Sequence, residues 1–144
     1  MVSAEATAFA KRSTPPSRTK TRRSLSELAR AGEALAAEFL TDRGFTIIGR
    51  NVRVGRLELD VIARRGPLIV VCEVRSRRRA RPVFPADTIV GQKLNRIRRA
   101  TALWLRREKL GPVRVRIDAA AIVFANPESP ELHYYENISY PFRG

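Results

Sequence analysis

Three carboxylates lie inside the two most apolar runs of this chain, where acidic side chains are unusual. Glu58 and Asp60 interrupt the run 57–63, and Glu73 interrupts the run 68–74. Burying a carboxylate without a partner costs several kcal/mol or forces the group to take up a proton. These acids therefore require a compensating cation, and carboxylate oxygens are the ligands that Mg²⁺ and Mn²⁺ prefer.

The two runs predict a β-hairpin, because β-branched stretches of strand length flank a short Arg-Arg-Gly-Pro turn. Side chains alternate along a strand, so Glu58 and Asp60 share one face of the first strand. Glu73 and Arg75 likewise share a face of the second strand. With the turn centred on Arg65–Gly66, Glu58 lies opposite Glu73 and Asp60 lies diagonal to it. All four charges then fall on one side of the hairpin, unless a bulge shifts the register.

An acid on one strand followed by Glu-x-basic on the next resembles the PD-(D/E)XK nuclease superfamily, and most closely the YraN-like family within it. The resemblance covers roughly residues 31–124. It is carried by an ordered set of motifs, which are Gly32-Glu33, Gly44-Phe45, Arg50-Asn51-Val52-Arg53, Leu57-Glu58-Leu59-Asp60, Glu73-Val74-Arg75-Ser76-Arg77, Lys93 and Arg116-Ile117-Asp118. One position departs from the superfamily pattern, since its usual lysine is Arg75 here.

The resemblance implies an α/β fold with a restriction-endonuclease-like core, in which two main helices flank a mixed, mostly antiparallel sheet of four to five strands. It also implies a divalent-metal-dependent endonuclease that hydrolyses phosphodiester bonds, with Mg²⁺ or Mn²⁺ held by Asp60 and Glu73. The expected catalytic residues are Glu33, Glu58, Asp60, Glu73 and Arg75. An arginine stabilises negative charge but does not act as a general base, because its pKa exceeds about 12. Arg75 thus leaves open slow catalysis, a different base such as Glu58, or no catalysis.

The composition favours a polyanionic partner. The 144 residues suit one domain, and the net charge of +14 is far from the usual balance. We expect nucleic acid, with DNA favoured over RNA; the alternatives are an anionic membrane surface and charge that only aids solubility. The single cysteine excludes a disulfide framework and a four-cysteine zinc site. No apolar run approaches about 20 residues, so we expect no membrane span and a cytoplasmic protein.

Basic residues cluster around the expected site. The candidates for nucleic-acid contacts are Arg53, Arg56, Arg77, Arg78, Arg79, Arg81 and Lys93. The basic run 75–81 directly follows Glu73, so a polyanion bound there would lie against the acids; the alternative is a solvated charge run. Lys93 either reaches back toward the acids or is a surface lysine.

Two helices must position these residues. The composition of residues 1–23 predicts a disordered basic arm, either a phosphate-binding tether or an extension without a role, ahead of a nuclease-like domain at 24–144. Ser24 and Glu27 form a capping box that opens a helix ending near Gly44. Glu33 borders the buried face of this helix, either as a surface glutamate or, by the resemblance, as a member of the site. A second helix is expected from an N-cap at Asp87 to about Lys109.

Further strands are expected at 45–52, at 113–124 beside 68–74, and at 132–140 as a sheet edge. For Asp118, an ion pair with an arginine is preferred over metal ligation. His133 is the only histidine and lies outside every motif, which gives a histidine triad or a zinc site little support. An exposed sheet edge would permit a homodimer.

Two other functions stay open beside the endonuclease. One is a catalytically weak or inactive nucleic-acid-binding module that has a nuclease-like fold. The other is a basic protein that sits on ribosomal RNA, for which the acids would have no role.

Overall fold

A mixed β-sheet forms the centre of the molecule and separates two helices. In the structure, a computed structural model, the described residues are 6–10 (backbone alone), 23–79 and 91–138. The elements in chain order are β1 (Ala6–Ala10), α1 (Leu25–Asp42), β2 (Thr46–Val54), β3 (Leu57–Arg65), β4 (Leu68–Arg77), α2 (Gln92–Glu108), β5 (Arg114–Val123) and β6 (Glu131–Tyr135). The strand order is β1-β6-β5-β4-β3-β2. Neighbouring strands are antiparallel, except that β4 and β5 run parallel.

This architecture confirms the predicted fold class. A five-stranded mixed sheet, mostly antiparallel, carries two main helices, as expected for a restriction-endonuclease-like core. β1 adds a sixth strand by pairing with β6, so β6 is not the sheet edge that the sequence predicted. The structure thereby corrects the prediction of a disordered arm at Ala6–Ala10, because this uncharged segment can satisfy the open backbone groups of β6. Apart from Arg23, the remainder of the arm lies outside the described residues.

Each face of the sheet is covered by one helix. The core on the α1 side includes Ala36, Phe39, Leu40, Val61, Val70, Ile122 and Tyr134. The core on the α2 side includes Ile62, Ile69, Leu94, Ile97, Trp104 and Ile117. Trp104 is buried there. No helix in the described ranges combines the length and the apolar composition that crossing a membrane requires.

The two helices begin differently. Ser24 Oγ accepts a hydrogen bond from Glu27 N, and Glu27 Oε1 accepts one from Ser24 N, which confirms the predicted capping box. α2 starts later than predicted, at Gln92, with Gly91 at the N-cap and no side-chain cap. The φ of 58° at Gly91 suits glycine and separates the helix from the segment before it. Asp87, the predicted N-cap, lies outside the described residues.

The β3–β4 hairpin has a different register from the predicted one. Its turn residues are Gly66 and Pro67, so Arg65 pairs with Leu68 and the ladder ends with Val61 opposite Cys72. Gly66 has a φ of 58°, as a glycine at the first central position of a two-residue hairpin turn does. The predicted turn at Arg65–Gly66 was wrong because Pro67, which cannot donate to a ladder, occupies the turn itself.

Asp118 is the centre of a buried hydrogen-bond network. It is 0% exposed and receives four donors: Arg116 Nε at 2.9 Å, Arg116 Nη2 at 3.0 Å, Tyr134 OH at 2.5 Å and Asn137 N at 2.8 Å. Two donors reach each carboxylate oxygen, which fills the acceptor capacity of the group. Asp118 therefore forms the ion pair that the sequence favoured over metal ligation.

We expect Asp118→Asn to destabilise the protein by about 3 kcal/mol, because Arg116 and the other donors lose a buried charged acceptor. Urea denaturation measures the change. The matched control is Glu136→Gln, since Glu136 also pairs with Arg116, at 3.7 Å, but its side chain is half exposed. That variant should stay within about 0.5 kcal/mol of the unmodified protein. Equal stabilities for the two variants would contradict the assigned role of Asp118.

Candidate functional site

Asp60 and Glu73 come together where β3 and β4 separate. The backbone pairing of the two strands ends at Val61 and Cys72. One residue further on, Asp60 Oδ2 accepts a hydrogen bond from Val74 N at 2.9 Å, so a side chain replaces a backbone acceptor. The carboxyl groups of Asp60 and Glu73 are close enough to share a hydrogen bond. We call these two residues the acid pair.

The alternation of side chains in β3 breaks at Asp60. Leu59 packs in the core on the α2 side and Val61 in the core on the α1 side, although residues two apart on a regular strand share a face. On the neighbouring strand β2, Asn51 stands level with Asp60 and has a left-handed φ of 49°. This local irregularity lets Asp60 leave the regular ladder and reach across to Val74.

Burial and neighbouring acids raise the pKa of Asp60 to about 7. Desolvation is the largest cause, the charge of Glu73 comes next, and the charge of Glu33 adds to it. The hydrogen bond from Val74 N opposes them. Glu33 and Glu73 are 8% and 6% exposed, so both acids add their charge from within the protein. A cation placed here would relieve this repulsion.

Gly32 lets α1 approach the sheet beside the site. A Cβ at position 32 would lie 1.9 Å from Ser76 Oγ and 3.2 Å from Ser76 Cβ, so any side chain there would displace Ser76 of β4. Glu33 follows immediately, and the close approach of the helix is what brings it near the acid pair. Glu33 is therefore buried near the acid pair and is not a freely solvated surface glutamate.

Lys93 supplies one of the cations that the acids require. Its Nζ lies 3.3 Å from Glu73 Oε1, and the lysine side chain is itself partly buried. Lys93 therefore reaches back from α2 toward the acids and is not a surface lysine without a partner.

Arg75 presents an unsatisfied donor on the same strand as Glu73. Its Nε is buried and has no hydrogen-bond partner among the described residues. By strand alternation, Arg75 shares a face of β4 with Glu73. A buried guanidinium N–H without an acceptor requires an explanation, and a phosphate oxygen is a ligand that would satisfy it.

The acid pair fits a hard divalent ion that has few protein ligands. In the described part of the chain, no three Asp, Glu, His or Cys side chains are arranged to hold a metal ion. Mg²⁺ typically binds proteins through one or two carboxylates and takes its other oxygens from water and substrate phosphates. Asp60 and Glu73 match that donor set.

Glu58 is engaged at the surface rather than with the buried acids. Its carboxylate pairs with Arg53 Nη1 at 3.6 Å, and its side chain is 47% exposed. The predicted position of Glu58 opposite Glu73 is wrong, because the turn at Gly66 and Pro67 shifts the hairpin register and the β3–β4 ladder ends at Val61 and Cys72. On its other side, Glu58 lies opposite Arg53 of β2. The same contact gives Arg53, a predicted phosphate ligand, an acidic partner.

The remaining basic candidates divide among several places. Arg78 Nη2 donates to Arg23 O at 2.6 Å and so ties the end of β4 to the start of α1. Arg77 is half-buried and Arg79 is exposed, whereas Arg81 lies outside the described residues. Arg56 lines a cavity beside α2.

This cavity joins residues that the sequence analysis did not bring together. It has a volume of about 540 Å³ and lies between the β2–β3 turn and α2. Arg56, Arg96 and Arg99 line it, together with the apolar residues Val54, Leu57, Ala100 and Leu103. We call it the α2 cavity. The signal for it in the sequence is the three-residue spacing of Lys93, Arg96 and Arg99, which places them along one side of a helix.

We expect Asp60→Asn to stabilise the protein at alkaline pH. Folding raises the pKa of Asp60 from 3.8 to about 7, so the folded state keeps a proton that the unfolded chain releases between these values. The contribution of Asp60 to stability therefore falls as pH rises through this window. Asparagine still accepts from Val74 N and cannot ionise. Urea denaturation should show similar stabilities near pH 4 and a gain of about 1 to 4 kcal/mol for the variant near pH 8. Glu58→Gln is the control, and a gain for Asp60→Asn that does not change with pH would contradict the assignment.

Comparisons with known proteins place the chain in a family. Residues 32–122, which span Glu33, the acid pair and Lys93, match the model of "Uncharacterised protein family UPF0102". A UPF0102 protein of Leifsonia xyli subsp. xyli is 38% identical over 112 residues, covering 78% of this chain and 95% of that protein. One of Renibacterium salmoninarum is also 38% identical over 112 residues, with the same two coverages. One of Sorangium cellulosum is 44% identical over 99 residues, covering 67% of this chain and 68% of that protein. The chain belongs to the UPF0102 family, which is the YraN-like family that its motifs predicted.

Proposed function

We propose that this protein is a divalent-metal-dependent endonuclease that hydrolyses phosphodiester bonds of nucleic acid, with DNA favoured over RNA. The observation that carries the proposal is the acid pair, in which partial burial first, and then the charges of Glu73 and Glu33, raise the pKa of Asp60 to about 7. A buried carboxylate that has only a structural role normally forms an ion pair that compensates its charge, as Asp118 does with Arg116. In the acid pair, Lys93 forms an ion pair with Glu73 only. The remaining negative charge suits a divalent metal ion.

Each group near the acid pair has a distinct part in such a reaction. Asp60 and Glu73 would hold Mg²⁺ or Mn²⁺, and Glu33 adds negative charge from α1. When bound, the ion lowers the pKa of a coordinated water and neutralises charge on the phosphate oxygens. Arg75, whose Nε lacks an acceptor, would donate to a phosphate oxygen as charge develops there.

Lys93 can take the role of the lysine that the superfamily pattern has at the position of Arg75. A guanidinium stays protonated, so Arg75 cannot exchange a proton during the reaction. The amine of Lys93 can, and it reaches Glu73 from α2 instead of from β4. In this proposal Lys93 orients Glu73 and the attacking water, and Arg75 binds the phosphate.

A second function is favoured by the same ion pair. Lys93 at 3.3 Å from Glu73, with a proton on Asp60, balances much of the local charge without any metal. The alternative is therefore a catalytically weak or inactive nucleic-acid-binding module in which the acid pair only shapes the surface.

We expect Asp60→Asn to abolish cleavage, lowering the rate by about 10³-fold or more, because the ion loses a charged ligand. The assay follows labelled duplex, branched and single-stranded DNA, and RNA, with Mg²⁺, with Mn²⁺ and with EDTA. Binding by the variant should remain within a few-fold. Glu58→Gln, which alters a surface acid of the same strand, is the control and should retain activity. Absence of cleavage by the unmodified protein on all these substrates, with binding retained, would favour the binding module.

We expect Lys93→Gln to lower kcat by about 10²-fold and to leave KM nearly unchanged, because it removes a proton-exchanging group next to Glu73. The pH–rate profile should also change shape, which loss of packing alone would not produce. Arg107→Gln is the matched control, since Arg107 lies near the far end of α2 and pairs with Glu108. A Lys93→Gln enzyme that differs from the control only in KM would show that Lys93 binds substrate and does not assist the reaction.

A further inference from the structure

The α2 cavity combines two kinds of surface that seldom occur together. Arg56, Arg96 and Arg99 give it three positive charges, and none of the described residues that line it is acidic. Its other lining residues are apolar, and Leu103 is 55% exposed despite its size. Such a lining suits a ligand that has both an anionic part and a flat apolar part.

The α2 cavity and the acid pair are connected by two elements, α2 and β3, and only a few residues separate them along each element. On α2, Arg96 and Arg99 follow Lys93 by three and six residues, which is about 4.5 and 9 Å along the helix axis. On β3, Leu57 precedes Asp60 by three residues, or about 10 Å of strand. Phosphates of one DNA strand follow each other about every 3.4 Å along a duplex axis, so these separations correspond to at most a few nucleotides of a strand that has a phosphate at the acid pair.

We propose that the α2 cavity binds an unpaired nucleotide of the strand whose phosphate lies at the acid pair. The inference rests on the proposed function and narrows its substrate to nucleic acid with a single-stranded segment next to the cleaved bond. The three arginines bind the phosphates on either side of that nucleotide, and their guanidinium planes can also stack on its base.

A paired duplex would contact only the charged part of the α2 cavity. Its phosphates would reach the arginines, but its bases are stacked inside the helix and would leave Leu103 in water. An unstacked base covers Leu103 and Leu57, as the apolar and aromatic platforms of single-strand-binding proteins are covered by bases. The exposed leucine, more than the arginines, is therefore what favours the single strand.

The test measures binding without catalysis, by fluorescence anisotropy of labelled oligothymidylate and of a duplex of the same length, in EDTA. Arg96→Gln/Arg99→Gln is compared with Arg106→Gln/Arg107→Gln, which makes the same charge change near the far end of α2. We expect the first variant to weaken oligothymidylate binding about ten-fold more than the second does. The first variant should weaken duplex binding less than it weakens oligothymidylate binding, because a paired duplex contacts the arginines through its phosphates alone.

Leu103→Ala separates a nucleotide site from a simple basic patch. It should weaken oligothymidylate binding about five-fold with no change in the slope of affinity against salt, because no charge is lost. Leu25→Ala is the control, since Leu25 is 72% exposed on α1, and it should change nothing. If Leu103→Ala matches this control, or if the arginine variants affect both probes alike, the proposal is overturned.

The outcomes keep this inference apart from the proposed function. A protein that cleaves no substrate but shows the expected losses of oligothymidylate binding refutes the endonuclease and supports the nucleotide site. A protein that cleaves duplex DNA, and whose cavity variants bind and cleave normally, supports the endonuclease and refutes the nucleotide site. Failure of the unmodified protein to bind oligothymidylate refutes the nucleotide site, whereas the endonuclease is decided by the cleavage assay with Mg²⁺ or Mn²⁺.

Discussion

The repulsion between Asp60 and Glu73 is the constraint on which the rest of the site depends. Two interacting carboxyl groups cannot both ionise freely where partial burial removes much of their hydration. Three kinds of positive charge can relieve them: a proton on Asp60, the amine of Lys93, or a divalent ion. A proton and a divalent ion would compete for the same oxygens, so the proposed metal binding would depend on pH.

The fold creates this constraint because β4 forms a longer ladder with β5 on one side than with β3 on the other. Its parallel ladder with β5 continues to Arg77, whereas its antiparallel ladder with β3 stops at Cys72. The last residues of β4 are therefore held firmly on one side and open on the other. Asp60 enters that opening and accepts from Val74 N, which would otherwise lack the acceptor that a longer β3 ladder would provide. Gly32 and Lys93 then bring one helix from each face to the same point.

Much of this arrangement could be predicted from the sequence, because the signals were local. The capping box at Ser24, the apolar strand runs and the acids inside them each depend on neighbours in the chain. The order of motifs then indicated the family and the fold class. Prediction failed where tertiary pairing decides the outcome. Glu58 and Asp60 look equivalent in the alternating pattern, but Arg53 lies opposite Glu58 on β2.

Two further features could not be predicted from the sequence. One is the break in the side-chain alternation of β3 at Asp60, and the other is the way Arg56, Arg96 and Arg99 come together at the α2 cavity. The first depends on a left-handed Asn51 on a neighbouring strand, and asparagine adopts that conformation only where its context favours it. The second depends on how α2 lies against the β2–β3 turn, which the periodicity of either element does not fix. The three-residue spacing of the basic residues on α2 indicates a charged side of the helix but not the element that lies against it.

The balance of charge at the site gives a physical reason to expect a metal and a phosphate together. Glu33, Asp60 and Glu73 contribute three negative charges, and Lys93 and Arg75 contribute two positive ones. The burial of Asp60 and this remaining negative charge together favour a proton on Asp60 near neutral pH. A divalent ion in place of that proton leaves one net positive charge, which a phosphodiester group neutralises. Replacing the superfamily lysine by Arg75 preserves this balance, so the substitution changes which group can exchange a proton and leaves the attraction for a phosphate intact.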